Sequence, residues 1–212
     1  MLEYEKELWN KDYSYIACID EVGRGCLAGD VVACAVILPK NLLIEGVKDS
    51  KKLSSKKREQ LCGIIYEKAI AIGIGCMDSE HIDEFNIKNS TLMAMKKALM
   101  NLKDKKGNAI APDYVLIDAE RIDINIPQES IIKGDEKCHG IAAASIVAKV
   151  YRDKKCEEWA TEYPKYGFEK HKGYGTKAHI EAIKEYGPCS IHRKSFLKNI
   201  ISSSKQINLF GE

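Results

Sequence analysis

Residues 13–38 read YSYIACIDEVGRGCLAGDVVACAVIL, and the relation between the two ends of this stretch decides the fold. Tyr13–Asp20 and Val31–Leu38 are apolar and rich in β-branched residues, the composition of strands. The connection EVGRGCLAGD carries Gly23, Gly25 and Gly29, which give it unusual backbone freedom. The first strand closes on Asp20, with Glu21 directly behind it. A carboxylate beside interior-type residues is costly unless a cation or hydrogen bonds compensate it. Neighbours on a regular strand point to opposite faces, so Asp20 and Glu21 can serve one site only if the strand ends there.

Working outward, a lysine-rich loop (VKDSKKLSSKKR) precedes an amphipathic helix with Leu61, Ile65, Lys68 and Ile72 on one side. Ile72–Met77 reads as a short strand. Asn89 or Ser90 is placed to cap a helix in which Leu92, Met95, Leu99 and Leu102 recur at helical spacing. Gly107-Asn108 and Pro112 break the chain before Tyr114–Asp118, a compact buried-type strand. The next helix is expected to open near Asp135 and run through IAAASIVAKVYRD, where Ala142, Ala143, Ala144 and Ser145 allow close packing. A further helix starts at Thr176 and stops at Gly187-Pro188. Early strands, alternating helices and a helical C-terminal part predict an α/β sandwich with an appended helical segment.

The chain has 212 residues, 45% hydrophobic and 30% charged, which suits one domain and excludes a wholly disordered protein. Its longest strongly apolar stretch, Val31–Leu38, is far short of the roughly 20 residues that span a bilayer. The opening MLEYEKELWNKDY is charged where a signal peptide is greasy, so a non-exported, cytoplasmic protein is expected. The eight cysteines form no Cys-x-x-Cys pair and are read as structural thiols. A net charge of +2 does not by itself argue for nucleic acid. From Lys165 to Lys198, however, basic residues outnumber acidic ones and alternate with Tyr166, Phe168, Tyr174 and Tyr186, a pattern able to track a phosphate backbone.

The carboxylates are the feature to explain. Asp20 and Asp118 each close a core-type strand, Glu21 follows Asp20, and Asp135 opens the small-residue helix. Singly, each has a plain alternative: Asp135 as a helix N-cap, Asp118 as a turn residue, Asp20-Glu21 as a solvated loop start. Jointly they form a set of hard oxygen donors, suited to Mg²⁺ or Mn²⁺ and not to zinc or copper. Paired ions of this kind activate water and stabilise the leaving oxygen in phosphodiester hydrolysis.

DEVGRG (Asp20–Gly25), DSKKLS (Asp49–Ser54), LIDA (Leu116–Ala119), KGDEKCHGIAAASIVAKVYRD (Lys133–Asp153), HKGYGT (His171–Thr176) and GPCSIHRKSF (Gly187–Phe196) occur in this order across nearly the whole chain. Together they resemble the signature blocks of bacterial ribonuclease HII. The resemblance implies a ribonuclease H-like fold, a mixed central β-sheet flanked by helices with a C-terminal helical extension. The implied catalytic domain covers residues 13–200, with 201–212 a flexible tail. It also implies a metal-dependent endoribonuclease that cleaves the RNA strand of RNA/DNA hybrids and incises 5′ of single ribonucleotides in duplex DNA, leaving 5′-phosphate and 3′-hydroxyl. Carried over by motif, Asp20, Glu21, Asp118 and Asp135 are the catalytic and metal-binding residues. One Mn²⁺ or Mg²⁺ would be resident and a second completed by Asp135 with substrate. Gly23, Arg24 and Gly25 would read the ribose 2′-OH, which only RNA offers. Tyr174 would pack on the adjacent deoxyribose. Lys51, Lys52, Lys172, His192 and Arg193 are candidate phosphate contacts, with His192 alternatively a hydrogen-bonded packing residue.

Two departures from the family pattern stand out. Gly29-Asp30 replaces a common Gly-Pro, and Cys138-His139 replaces small hydroxyl residues, placing His139 close in sequence to Asp135, where local pKa values and metal preference are open to its influence. Near the C-terminus, Gln206, Leu209 and Phe210 in QINLF look like a sliding-clamp-binding peptide on a Ser-rich tether. No membrane contact is expected, and nothing signals oligomerisation, so a monomer is expected. The alternatives are a non-catalytic nucleic-acid-binding module of the same fold, and a metal phosphatase acting on small molecules. The intact carboxylate set counts against the first, because a pure binder gains nothing from repelling charges beside a polyanion.

Overall fold

Strand β2 (Val31–Ile37) is buried at every position. A strand apolar on both faces belongs inside a sheet that is covered on both sides. In the computed structural model, which describes residues 1–198 and 200, β2 pairs antiparallel with β1 (Ile16–Val22) and with β3 (Ala71–Met77). β1 pairs parallel with β4 (Tyr114–Asp118), and β4 parallel with β5 (Gln128–Ile131). The result is a mixed five-stranded sheet in the order β3-β2-β1-β4-β5.

Strand alternation sorts the two faces. Ala17, Ile19, Ala33, Ala35, Val115 and Ile117 pack against α3 (Ser79–Met100), together with its Ala94, Met95 and Ala98. Cys34 and Val36 pack on the opposite face against α2 (Ser55–Lys68) and α5 (His139–Glu162). That second face continues through Ile16, Cys18 and Leu116 to Leu8 of α1 (Glu3–Trp9). After α5, α6 (Phe168–His171) and α7 (Lys177–Tyr186) enclose a smaller cluster of Trp159, Tyr166, Phe168, Ile183 and Leu197. This is the helical extension. Among the described residues, no helix is long and apolar enough to cross a membrane.

Several boundaries differ from the sequence expectation, each for a local reason. α1 precedes residue 13, the expected start of the domain, and its Leu8 joins the core. Ile72 lies in β3, not on the helix ending at Lys68. α3 starts ten residues before Asn89, where the Asp78 carboxylate accepts from the His81 amide. Asn86 then takes a left-handed φ of 65° and its Oδ1 caps the Asn89 amide, so the second half of α3 has the start that its spacing announced. β5 was not anticipated, because it buries only its last residue well and lacks alternation. Asp135 is not an N-cap: it sits in the first turn of α4 (Gly134–Lys137), behind a left-handed Lys133, and extended Cys138 separates α4 from α5. By contrast Thr176 caps α7 and Gly187, at φ 75°, terminates it, as read.

Glycine sets the spacing of β3 against α3. A Cβ at Gly75 would run into the Ala94 carbonyl oxygen and lie 2.6 Å from the Ala98 nitrogen, backbone atoms with no rotamer to escape into. Gly75→Ala should therefore destabilise the fold by about 1–3 kcal/mol, the usual cost of overpacking. Denaturant unfolding checks this, with Gly63→Ala as a control in a helix position with nothing within 4 Å.

Candidate active site

β1 and β4 run parallel, and their last paired residues are Ile19 and Ile117. Asp20 and Asp118 therefore leave neighbouring strands side by side, on the same face as Cys18 and Leu116. β1 does not end at Glu21 as expected: its pairing with β2 continues through Glu21–Ala33 and Val22–Val32. What ends is the pairing with β4, and this opens one edge of β1 at the level of Asp20. Glu21 thus comes from the α3 side of the sheet while sharing the strand-end region with Asp118.

Asp20 is 6% exposed and accepts the Glu21 amide at 2.7 Å. Burial, and after it the charges of Glu21 and Asp118, push its carboxyl well above the usual carboxylate range. The Glu21 carboxyl is raised too, by burial and Asp118, against the lowering pull of Arg24. Asp118 Oδ1 accepts the Gly134 amide at 2.6 Å, which ties β4 to the turn that carries Asp135. The Asp135 carboxyl is raised by burial, then by Asp118 and Asp49, with Lys51 opposing. Among the described residues, no three of these carboxylates bring an oxygen within 4.8 Å of one another. Glu21 Oε2 is buried with no hydrogen-bond partner. Oxygen-only donors, mutual repulsion and an orphaned oxygen fit a hard divalent cation.

Beside this cluster, three signature blocks are stitched together by main-chain contacts. Cys26 bridges Tyr174 and Ala28 bridges His192, while the Leu27 amide donates to the Gly173 carbonyl and the Arg193 amide to the Leu27 carbonyl. Two fully buried arginines hold the glycine loop from beneath. Arg193 donates to the carbonyls of Gly23, Arg24 and Gly29 at 2.7, 2.8 and 2.8 Å. Arg152 donates to those of Ala28, Asp30 and Lys172 at 3.1, 2.9 and 2.7 Å. Each guanidinium has five N–H donors in a rigid fork, and here they replace the partners a loop backbone would find in water. Gly23, at φ 93°, has no room for a side chain above Arg152. Gly25 has none of these constraints: a Cβ there would meet nothing within 4 Å. Tyr174 stays 42% exposed.

A profile of the ribonuclease HII family matches residues 17–199. The chain belongs to the ribonuclease HII family. It is 63% identical over 200 residues to the ribonuclease HII of Alkaliphilus oremlandii, covering 94% of this chain and 98% of that one. The ribonuclease H2 of Pyrococcus horikoshii OT3 has the same fold, with a TM-score of 0.73 at 24% identity over 90% of this chain and 99% of that one. The ribonuclease HII of Archaeoglobus fulgidus, in its complex with PCNA, superposes with a TM-score of 0.69 at 26% identity over 87% and 96% of the two chains. As a ribonuclease HII, the protein is an enzyme, an endoribonuclease acting on RNA/DNA hybrids.

For this ribonuclease HII, the residues expected to contact phosphate sit in different surroundings. Arg193 has no exposed surface, and burial pushes its guanidinium down to about 10, still cationic at neutral pH; it builds the loop and does not face solvent. His192 is a packing residue, 2% exposed, 3.1 Å from His179 Nε2, and lowered by burial to about 4. Lys172 contributes mainly its carbonyl to Arg152, and its ammonium lies 3.4 Å from Glu157. Lys52 is engaged by Glu136 at 2.5 Å, whereas Lys51 is exposed at the edge near Asp135. Arg24 is not idle in the absence of substrate: it pairs with Glu120 at 2.8 Å and faces Glu21 at 3.6 Å. His139 is buried, accepts the Ile44 amide through Nε2 and is lowered to about 4 by burial, so it brings no positive charge toward the Asp135 turn at neutral pH. Sequence reasoning missed Glu120, which a left-handed Ala119 (φ 50°) swings toward Arg24, and Arg152, which stands among the charged residues Lys149, Asp153, Lys154 and Lys155 of α5 and so carried no separate signal.

Asp20 has a folded-state pKa above its unfolded value, so its stabilising contribution is complete below the ordinary carboxylate value and lost as pH rises through the raised one. In metal-free buffer, Asp20→Asn should raise Tm at neutral pH by about 2–4 °C, the shift that 1 kcal/mol produces in a chain of this length. The difference should vanish on acidification toward about pH 4; scanning calorimetry across pH reads it. Arg193→Lys leaves carbonyls of the glycine loop unpaired and should cost roughly 1–3 kcal/mol for each. It should also lower hybrid cleavage while circular dichroism stays native-like.

Proposed function

We propose that the chain is a divalent-metal-dependent ribonuclease that, besides cutting the RNA strand of hybrids, incises 5′ of a single ribonucleotide in duplex DNA, leaving 5′-phosphate and 3′-hydroxyl. The observation that carries this reading is the pairing of two unlike surfaces. Repelling carboxylates at the ends of β1 and β4 adjoin a glycine loop whose Gly25 is unobstructed by the protein.

Asp20, Glu21 and Asp118 would hold a first Mg²⁺ or Mn²⁺, and Asp135 would complete a second site with substrate. When bound, such ions lower the pKa of attacking water and stabilise the leaving oxygen. The chain's own residues do the selecting. With no side chain at Gly25, loop peptide groups can approach a ribose closely enough to exchange hydrogen bonds with its 2′-OH, which deoxyribose lacks. Arg193 and Arg152 make that approach rigid, since the loop carbonyls they hold cannot turn toward solvent. Arg24 would exchange part of its pairing with Glu120 for a substrate phosphate, and Lys51, with a smaller share from Lys172, would add positive potential for the backbone. The Tyr174 ring, fixed through its main-chain bridge to Cys26, would pack on the neighbouring deoxyribose and so register the RNA–DNA junction.

Gln206, Leu209 and Phe210 lie outside the described residues. A sliding-clamp contact through them is supported by their motif and by the archaeal relative found in complex with PCNA. We place the protein in the cytosol as a monomer.

The test is a labelled DNA duplex with one ribonucleotide, next to an all-DNA duplex and an RNA/DNA hybrid, in Mg²⁺ or Mn²⁺ and in chelator. Cleavage should occur at the ribonucleotide, leave all-DNA intact and stop in chelator. Asp20→Asn and Asp118→Asn should each slow it by about a thousandfold or more, the several kcal/mol of charge stabilisation a bound ion supplies. Tyr174→Ala should slow single-ribonucleotide incision more than hybrid cleavage. Cutting of the all-DNA duplex, or full activity in Asp20→Asn, would sink the proposal.

A further inference from the structure

A second cluster of metal-ligating groups lies in the interior, away from the strand ends. Glu5 of α1, Cys18 of β1 and Cys138 between α4 and α5 converge there, each 5% exposed or less. Cys138 Sγ lies 3.2 Å from Glu5 Oε1 and 4.0 Å from Cys18 Sγ. Among the described residues this is the one group of three such side chains whose ligand atoms all fall within 4.8 Å of one another. A tetrahedral zinc ion with Zn–S near 2.3 Å and Zn–O near 2.0 Å has edges of about 3.8 Å between sulfurs and about 3.5 Å between sulfur and oxygen. The two measured edges straddle those lengths, so side-chain adjustment alone would admit the ion.

Two independent features ask for a ligand at this spot. Glu5 Oε2 is buried without a hydrogen-bond partner, while Oε1 takes both the Cys138 thiol and the Gly140 amide. A bare carboxylate oxygen in the interior carries a full desolvation penalty. Next to the trio is a cavity of about 10 Å³, lined by Glu5, Cys18, Leu2, Trp9, Ile16 and Gly140. That is room for one water, the group that commonly fills a fourth zinc position. Gly140 keeps the space open, since a Cβ there would collide with Cys18 Sγ and sit 3.6 Å from Glu5 Oε1.

From this geometry we infer that Glu5, Cys18 and Cys138 form a buried Zn²⁺ site of three protein ligands, with water as the fourth. Thiolates are soft donors that select zinc over Mg²⁺ or Mn²⁺, so this site and the carboxylates take different ions although Cys18 and Asp20 are two residues apart on one strand face. Binding displaces the thiol protons to solvent. The ion ties α1 to β1 just before Asp20 and to the junction just after the Asp135 turn.

The experiment uses the full chain, reduced, stripped with chelator and held in excess Mg²⁺ to satisfy the carboxylates. One equivalent of Co²⁺ should give a sulfur-to-cobalt charge-transfer band in the near ultraviolet that Zn²⁺ abolishes by displacement. One zinc per chain should survive desalting and raise Tm. Cys18→Ser and Cys138→Ser should each weaken the band, the double serine variant should lose it, and Glu5→Gln should weaken zinc binding by at least the roughly 10–100-fold that losing a supporting group costs. Absence of the band in the wild type, or its survival at full strength in both single serine variants, overturns the site and leaves the trio a hydrogen-bonded packing cluster. Should a serine variant fail to fold, thiol alkylation of the wild type in mild denaturant decides. Zinc must shield Cys18 and Cys138 in peptide maps, and equal labelling with and without zinc overturns the inference.

Discussion

Asp20 and Asp118 leave the sheet at the same end because β1 and β4 run parallel in adjacent positions, with Ile19 opposite Ile117. Two carboxylates so placed repel each other, and burial removes the water that would screen them. One amide on each, from Glu21 and Gly134, offsets only part of this cost. The arrangement persists because the strands beneath are covered on both faces by α3 and α5, so the strand ends cannot splay without opening the core. Strain of this kind concentrates at functional sites, and here it is relieved by any cation that enters.

The second constraint is the glycine loop. A loop left to itself satisfies its carbonyls with water and wanders. In this chain Arg152, from α5, and Arg193, from the C-terminal part, occupy those carbonyls from inside. Among the described residues neither guanidinium is paired with a carboxylate, and main-chain dipoles compensate the two buried cations instead. The consequence is that the loop, the Tyr174 segment and the segment around Arg193 are tied to one another next to the carboxylates. For the proposed reading of the ribose, a surface held in this way before substrate arrives keeps the ordering cost of binding small.

The contrast between the two clusters on β1 follows from alternation. Cys18 and Asp20 share a face, yet Cys18 lies under α1 and Asp20 beyond the reach of β4 pairing. Interior thiols and strand-end carboxylates are donors of different softness, so the ions proposed for the two clusters would differ.

Much of this was legible in residues alone. Apolar β-branched runs announced β1, β2 and β4, and the cap at Thr176 and stop at Gly187 bounded α7, because such signals are local. The order of short motifs identified the family and singled out the carboxylates. Tertiary structure decided the rest. That β1 stops pairing with β4 at Ile19 while continuing along β2 depends on a strand nearly a hundred residues away. Arg193 read as a surface cation, since its type is mostly exposed and nothing nearby in sequence reveals the carbonyls it serves. Glu120 and Glu5 were invisible for the same reason: a side chain's partners are set by packing, and packing joins residues that the chain keeps far apart.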